Sequence, residues 1–153
     1  MELYLVQHGA AKSETEDPAR PLTEEGRRAI EQVAEFLAAR GVRIARVEHS
    51  DKKRAQQTAE ILAARLHPAE GRFQVAGLAP NDDVESMRAR LVEESRSLML
   101  VGHLPYLSRL VSRLLGLEAD RPVVQFHMGG VVHLERDASC TWIVRWVLPP
   151  TML

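Results

Sequence analysis

Residues 5–11 read LVQHGAA, and this stretch decides how the first part of the chain folds. Apolar and aromatic residues run directly into Gln7, His8 and Gly9, after which the chain becomes polar. A short continuous apolar run that ends at a turn residue is typical of a strand buried on both faces. We therefore predict a buried strand from Glu2 to Gln7 that carries a glutamine and a histidine to its carboxyl end.

A strand and helix rhythm continues after this first strand. The pattern first predicts a helix capped by Thr23 and stopped by Gly41, then a strand around Arg46 to His49 and a helix that ends before Pro68. A short strand from Phe73 to Val75 and a helix capped by Asp82 or Asp83 follow. The last pair of this series is a strand from Ser97 to Val101 and a helix closed by Gly116. Val131 to Arg136 and Cys140 to Leu148 are predicted to form an antiparallel hairpin. Strands that alternate with helices favour an α/β fold with a mostly parallel sheet covered on both faces, here with the hairpin added at one side.

The composition excludes several classes of protein. The chain has 153 residues, about one domain, and its 20 Lys and Arg residues balance 21 Asp and Glu residues to a formal charge of −1. This balance gives no general attraction to nucleic acid or to an acidic membrane surface. A single cysteine, Cys140, excludes an internal disulfide and suits a reducing compartment. With no apolar run near the ~20 residues of a spanning helix and no signal-peptide pattern, we expect a soluble, cytoplasmic protein.

Two histidines lie at the predicted carboxyl ends of buried strands. His8 follows the first strand and His103 follows the strand that ends with Gly102, so each has a glycine beside it. Ligands of parallel sheets bind beyond the carboxyl ends of the strands, where helix N-termini also point. Arg54 lies in the first turn of the helix that opens with SDKKRAQQTAEIL, and its guanidinium fork suits a phosphoryl group. The three side chains together predict a phosphate site.

The ordered motifs LVQHGAA, RPLTEEG, SDKKRAQQTAEILA, VGHLPYLSRL and GGVVHLE resemble those of the histidine phosphatase superfamily, whose fold is phosphoglycerate-mutase-like. Their compact layout is most similar to the SixA-type phosphohistidine phosphatases. The resemblance covers nearly the whole chain, so it implies one histidine phosphatase domain over residues 1–153 and a three-layer α/β/α sandwich. It also implies a site without metal or cofactor, a phosphohistidine intermediate on His8, and phosphate binding by Arg54 and His103.

This assignment agrees with the chemistry of the residues. A neutral imidazole nitrogen can attack phosphorus in line, while Arg54 and a cationic His103 stabilise the equatorial oxygens. The resemblance implies a phosphatase in signal transduction whose partner is a protein that carries phosphohistidine, such as a phosphotransfer domain or carrier. Two alternatives stay open at this point. One is a phosphatase of small phosphate esters, and the other is a weakly active or inactive module that binds phosphate or phosphohistidine.

Departures from the family pattern motivate the second alternative. Gln7 stands where the family has an arginine, Ala10 where an acidic residue is common, and Asp51 where proline is frequent. The candidates for the substrate-binding part of the site are Gln7, Gly9, Lys12, Asp17, Arg20 and His127. Lys12 is the nearest cation after the motif, Asp17 and Arg20 belong to a polar loop, and His127 precedes two nearby glycines. No histidines are spaced as zinc ligands.

Overall fold

Six strands form one sheet with helices on both faces in the computed structural model, which describes residues 1–153. The strands are β1 (Glu2–Gln7), β2 (Arg46–His49), β3 (Arg72–Gln74), β4 (Leu98–Gly102), β5 (Val131–Arg136) and β6 (Trp142–Leu148). The helices are α1 (Glu24–Ala39), α2 (Lys53–Leu66), α3 (Glu85–Glu93) and α4 (Tyr106–Leu114), followed by a 3₁₀ turn at Pro150–Met152. The predicted α/β fold and its C-terminal hairpin are confirmed.

The strand order is β3-β2-β4-β1-β5-β6, and the first four strands of the chain run parallel to one another. β1 lies between β4 and the antiparallel β5. Its register with β4 places Gln7 opposite Gly102, so the residues that follow both strands emerge side by side. This register brings His8 and His103 to the same edge of the sheet.

Alternate side chains of β1 enter two separate cores, as the pleat of a strand requires. Tyr4 and Val6 pack with α1 and α2, whereas Leu3 and Leu5 pack with α3 and α4. Burial of each such aliphatic side chain stabilises the fold by about 1.5–3 kcal/mol. None of the four helices is both long enough and apolar enough to cross a membrane.

The first turn of α1 packs against the chain that leaves β1. Thr23 caps the helix as predicted, because its Oγ1 accepts a hydrogen bond from the Gly26 N–H at 3.0 Å. A Cβ on Gly26 would lie 2.2 Å from the Ala10 carbonyl oxygen, closer than any side chain allows. Gly26 therefore lets the helix support the turn that follows His8.

The main differences from the predicted boundaries are at the hairpin and at the third helix. β6 begins at Trp142 rather than at Cys140, since Cys140 has a φ of 64° and belongs to the turn. Asp137 holds that turn through its Oδ1, which accepts from the N–H groups of Ser139 and Thr141 at 2.9 Å. The third helix has Val84 at its N-cap, although Asp83 Oδ1 accepts from the Glu85 N–H in the same turn.

Candidate active site

His8 lies at the carboxyl end of β1 with both ring nitrogens engaged. Its Nδ1 is 2.8 Å from the Gly9 carbonyl oxygen, and this oxygen can only accept, so Nδ1 carries the proton. Its Nε2 accepts a hydrogen bond from Arg54 Nε at 3.4 Å. The geometry selects the neutral tautomer in which Nε2 holds a lone pair, as an attacking nitrogen needs.

His103 follows β4 and faces His8 across the site. The two ring centroids are 5.0 Å apart, and the planes are inclined by 50°. His103 Nε2 lies 2.6 Å from the Ser50 hydroxyl oxygen, while its Nδ1 is buried without a hydrogen-bond partner. Most buried polar atoms in proteins are paired, so this free nitrogen is an available position for a ligand.

Arg54 enters the site from the first turn of α2, as predicted. Thr58, one turn later, ties this helix to the loop after His8. Its Oγ1 accepts from the Gly9 N–H at 3.0 Å and donates to the Arg54 carbonyl oxygen at 2.8 Å. Arg54 forms no ion pair with a carboxylate. Its charge therefore remains available to an incoming anion.

Gln7 leaves one polar atom unused next to His8. Its backbone carbonyl accepts from the Gly129 N–H at 2.9 Å, and its Oε1 is buried with no partner. Rotation of the side-chain amide presents its NH₂ group at the same position, where it offers neutral hydrogen-bond donors. The site thus holds an amide where the family pattern has a guanidinium.

Both histidines are buried and neutral in the free protein, so the cationic His103 expected from the sequence belongs to the complex with phosphate. His8 is 8% exposed and His103 is 1% exposed. Burial lowers the pKa of His8 to about 4, and the charges of Arg54 and Arg20 lower it further against the hydrogen bond to Gly9. Burial likewise lowers the pKa of His103 to about 3, with further contributions from His8 and the nearby cations.

Of the other predicted residues, Arg20 acts on the site through its charge, whereas Lys12, Asp17 and His127 lie in the surroundings of the site. Arg20 has a left-handed φ of 48°, and its charge acts on His8, Arg54 and His103. Lys12 is exposed, and its carbonyl oxygen accepts from Arg20 Nε at 3.2 Å. Asp17 holds the loop itself, since its Oδ1 accepts from the Ala19 N–H at 3.0 Å. His127 lines a neighbouring cavity of ≈ 660 Å³ beside Ala10.

Sequence reasoning missed three residues that shape the site, namely Ser50, Thr58 and Gly26. Ser50 directly follows β2, so its place at a strand end was the available signal. Thr58 falls at the spacing of the apolar residues of α2, so nothing in the sequence indicated that it bonds to the loop after His8. The role of Gly26 depends on how close two backbones approach, and no local pattern encodes that distance.

The arrangement can bind a tetrahedral oxyanion and attack it. His8 provides an unprotonated nitrogen, Arg54 provides charged donors, and His103 provides a free ring nitrogen. No group of three or more histidine, cysteine or carboxylate side chains is arranged to hold a metal ion.

Comparisons with known proteins agree with this geometry. The sequence model described as "Histidine phosphatase superfamily (branch 1)" matches residues 3–74. An uncharacterised protein of Picosynechococcus is 40% identical over 113 residues, which span 69% of this chain and 67% of that protein. The chain belongs to the histidine phosphatase superfamily.

Relatives within the histidine phosphatase superfamily extend the match to the full chain. Phosphohistidine phosphatase SixA of Escherichia coli K12 is 28% identical over 158 residues, which cover all of this chain and 96% of SixA. A structure of the protein histidine phosphatase SixA with tungstate superposes with a TM-score of 0.87 at 27% identity and covers 99% of both chains. The protein is accordingly a phosphatase with the phosphoglycerate-mutase-like fold.

Proposed function

We propose that this phosphatase removes the phosphoryl group from phosphohistidine in a protein, through a covalent intermediate on His8. The observation that carries the proposal is the state of the His8 ring. Its Nδ1–H donates to Gly9, its Nε2 faces Arg54, and burial lowers its pKa to about 4. Nearly all His8 side chains are therefore unprotonated at neutral pH and ready to attack.

In the first step, the Nε2 lone pair of His8 forms a bond to phosphorus while the bond to the substrate imidazole breaks in line with it. The transferred group is held mainly by charge and position. Arg54 donates to its equatorial oxygens, and His103 offers its free Nδ1 on the opposite side. The departing imidazole is easily protonated, so this substrate needs no strong general acid.

In the second step, water attacks the phosphorus of the His8 adduct, and the P–N bond returns its electron pair to Nε2. Inorganic phosphate leaves and the neutral ring is regenerated. The same cationic donors stabilise this transition state, because the charge again develops on the three equatorial oxygens. We propose that both steps proceed without a metal ion.

Similarity along the whole chain to SixA, which is a phosphohistidine phosphatase by name, supports the protein substrate. The connections around the site add a second argument. The two longest ones near His8, residues 8–23 and residues 115–130, are equal in length, and we propose that they leave the site open enough for a protein substrate. We propose that residues 1–153 act as one domain in cytoplasmic signal transduction, which suits the single free cysteine.

The test compares substrates under identical conditions. A phosphotransfer domain phosphorylated on histidine, phosphohistidine itself and a small phosphate ester are offered to the wild-type protein with and without EDTA. We expect turnover of the phosphorylated domain in both conditions. Loss of activity in EDTA with recovery on adding a divalent cation would refute the metal-free mechanism. Preference for the small ester would support the alternative substrate class, and absence of any turnover would favour a binding module.

A further inference from the structure

Ser50 lies directly behind His103 and is as deeply buried. Each residue is 1% exposed, and the Ser50 Oγ is 2.6 Å from His103 Nε2. Ser50 follows the last residue of β2, and its N–H donates to the Val101 carbonyl oxygen of β4 at 3.3 Å. The Lys52 N–H donates to Ser50 Oγ, also at 3.3 Å. The hydroxyl is thus fixed from its own turn and from the strand that carries His103.

These contacts allow the Ser50 hydroxyl to donate in the short hydrogen bond of the free protein. Because the Lys52 N–H uses one lone pair of Oγ, the Ser50 hydroxyl can donate its own proton to His103 Nε2. A neutral imidazole that accepts at Nε2 carries its proton at Nδ1. That nitrogen is the buried atom without a protein partner. As the donor, Ser50 selects the tautomer whose N–H is free for a ligand.

We infer that Ser50 is a positioning residue that aims the Nδ1–H of His103 at the bound phosphoryl group and then accepts the Nε2–H of the imidazolium that forms there. The inference rests on the proposed function only in placing the phosphoryl group beside His103. Ser50 itself does not touch the substrate. Its role resembles that of the hydrogen-bonded partners that fix the tautomer of histidines in other sites.

The surroundings of His103 explain why such a partner is needed. Burial opposes protonation of the ring most strongly, and the charges of Arg54, Lys52 and Arg20, with that of His8 when it is protonated, oppose it further. An arriving dianion reverses this balance by direct attraction. The new proton on Nε2 then needs an acceptor, and Ser50 Oγ is the atom at hydrogen-bonding distance.

A polar cavity supplies the path for that proton. It has a volume of ≈ 420 Å³, and its lining includes Ser50, Asp51, Gln74 and Asp82. This volume holds several water molecules at about 30 Å³ each. The balance is simple, since one proton passes from solvent to the imidazole and no other bond is made or broken. When Oγ accepts the Nε2–H, the hydroxyl proton turns toward the cavity.

The test uses Ser50→Ala, with Ser50→Thr to restore the hydroxyl and Ser112→Ala as a matched control. Ser112, on α4, is also buried, and its Oγ lies 2.7 Å from the carbonyl oxygen of Arg121 and 3.1 Å from that of Ser108. The first readout is proton uptake on binding tungstate, measured by calorimetry in buffers of different ionisation enthalpy. The second is the pH profile of kcat, and thermal unfolding verifies that each variant is folded.

We expect the wild-type protein and Ser112→Ala to take up close to one proton for each tungstate bound. Ser50→Ala should take up less than half as much, and its kcat should fall about ten-fold, as for a lost hydrogen bond to a charged group. Removal of the acceptor lowers the pKa of His103 in the complex, so the basic limb of the kcat profile should move to lower pH. Ser50→Thr should recover both properties.

Unchanged proton uptake and an unchanged pH profile in folded Ser50→Ala would overturn the inference, even where the wild-type protein hydrolyses phosphohistidine. Equal changes in Ser112→Ala would overturn it as well. The wild-type protein could turn over no phosphohistidine while its proton uptake on binding tungstate still depends on Ser50. In that case the proposed function fails and the role of Ser50 stands. The two ideas are therefore tested separately.

Discussion

Two buried histidines of this protein share one local arrangement and differ in what surrounds it. His8 contacts its own following carbonyl through Nδ1 and Arg54 through Nε2. His49, at the end of β2, contacts the Ser50 carbonyl through Nδ1 at 2.8 Å and Arg72 through Nε2 at 3.0 Å. Burial is the main cause that lowers the pKa of each ring. The ring geometry alone therefore does not identify a reactive histidine.

The arginines make the difference between the two histidines. Arg72 forms an ion pair with Glu60 at 3.3 Å, so its charge is already neutralised within the protein. Arg54 has no such carboxylate, and His103 with its free Nδ1 lies on the other side of His8. A reactive site is thus marked by charge and hydrogen-bonding capacity that the fold leaves unused.

The largest expected effect separates the two histidines directly. We expect His8→Ala to lower kcat by at least about 10⁴-fold, because the attacking nitrogen is lost. His49→Ala should retain activity within about ten-fold and instead lose about 1–3 kcal/mol of unfolding free energy through its missing hydrogen bonds. Steady-state kinetics and urea unfolding of both variants provide the measurements.

Rapid-quench experiments with labelled substrate extend this comparison to the intermediate. The wild-type protein and His49→Ala should yield an acid-labile, base-stable adduct on the peptide that contains His8. Full activity of His8→Ala, or an adduct on another peptide, would show that the nucleophile lies elsewhere.

Substitution of Arg54 is also expected to lower activity more than substitution of Arg72, but by a smaller factor than separates the two histidines. Arg54→Gln should lower kcat/KM by about 10²–10³-fold, since a charged donor to the transition state is removed. Arg72→Gln should leave kcat/KM within a few-fold, because the charge of Arg72 is used by Glu60. Comparable losses in both variants, measured with the same substrate, would mean that unpaired charge does not distinguish the two positions.

The pH dependence of stability sharpens the comparison further. His8 and His103 have a pKa near 6.5 when unfolded and about 4 and about 3 when folded. The unfolded chain therefore binds more protons between these values, so stability is fully present above pH 6.5 and is lost as the pH falls toward 4 and 3. Each unit of separation corresponds to about 1.4 kcal/mol.

Tungstate should weaken this loss, because the anion favours the protonated rings that face it. His49 does not face the anion, so His49→Asn should gain the same stabilisation from tungstate as the wild-type protein. Urea midpoints measured across this pH range, with and without tungstate, report the difference. If tungstate left the dependence of the urea midpoint on pH unchanged, the site histidines would take up no proton with the anion.

The fold was largely predictable because its information is local. Continuous apolar runs mark the strands at Leu3 to Val6 and Leu98 to Val101, and Thr23 marks the start of α1. The HG and GH motifs at two strand ends, together with a basic helix start, were enough to predict that His8, His103 and Arg54 lie together. Strand ends that share an edge of a parallel sheet meet whatever the intervening loops contain.

The rest depended on distances between segments far apart in sequence. Ser50 and His103 are 53 residues apart, and their contact follows from β2 and β4 being neighbours. The depth at which both histidines are buried depends on the segments that pack around them, which a strand-end position does not reveal. The boundary of β6 was wrong because a single residue, Cys140, adopts a left-handed backbone that only the turn around Asp137 explains.

The smallest expected effect concerns Gln7, the residue that separates this site from the family pattern. An arginine at this position would add charge where Gln7 now has an unpartnered amide oxygen. We expect Gln7→Arg to raise kcat/KM by roughly ten-fold, since a hydrogen bond to a charged group is worth about 1.5–3 kcal/mol and an imperfect fit removes part of it. Gln7→Lys, which adds charge without the planar fork, is the matched control and should gain less.

A competing cation would cancel that gain, and the structure favours Arg20 over Lys12 in this role. The charge of Arg20 acts on both site histidines, whereas the exposed Lys12 contributes its backbone carbonyl to hold Arg20. If Arg20 already replaces the missing charge, Gln7→Arg should give no gain in the wild-type background but should restore activity to Arg20→Ala. If Gln7→Arg helps in both backgrounds by the same factor, the two positions act independently and the wild-type site lacks a charge. Loss of activity in Lys12→Ala with no response to Gln7→Arg would instead mean that the site depends on the lysine. Lys12, and not an arginine, would then be the unpaired cation that distinguishes the reactive histidine.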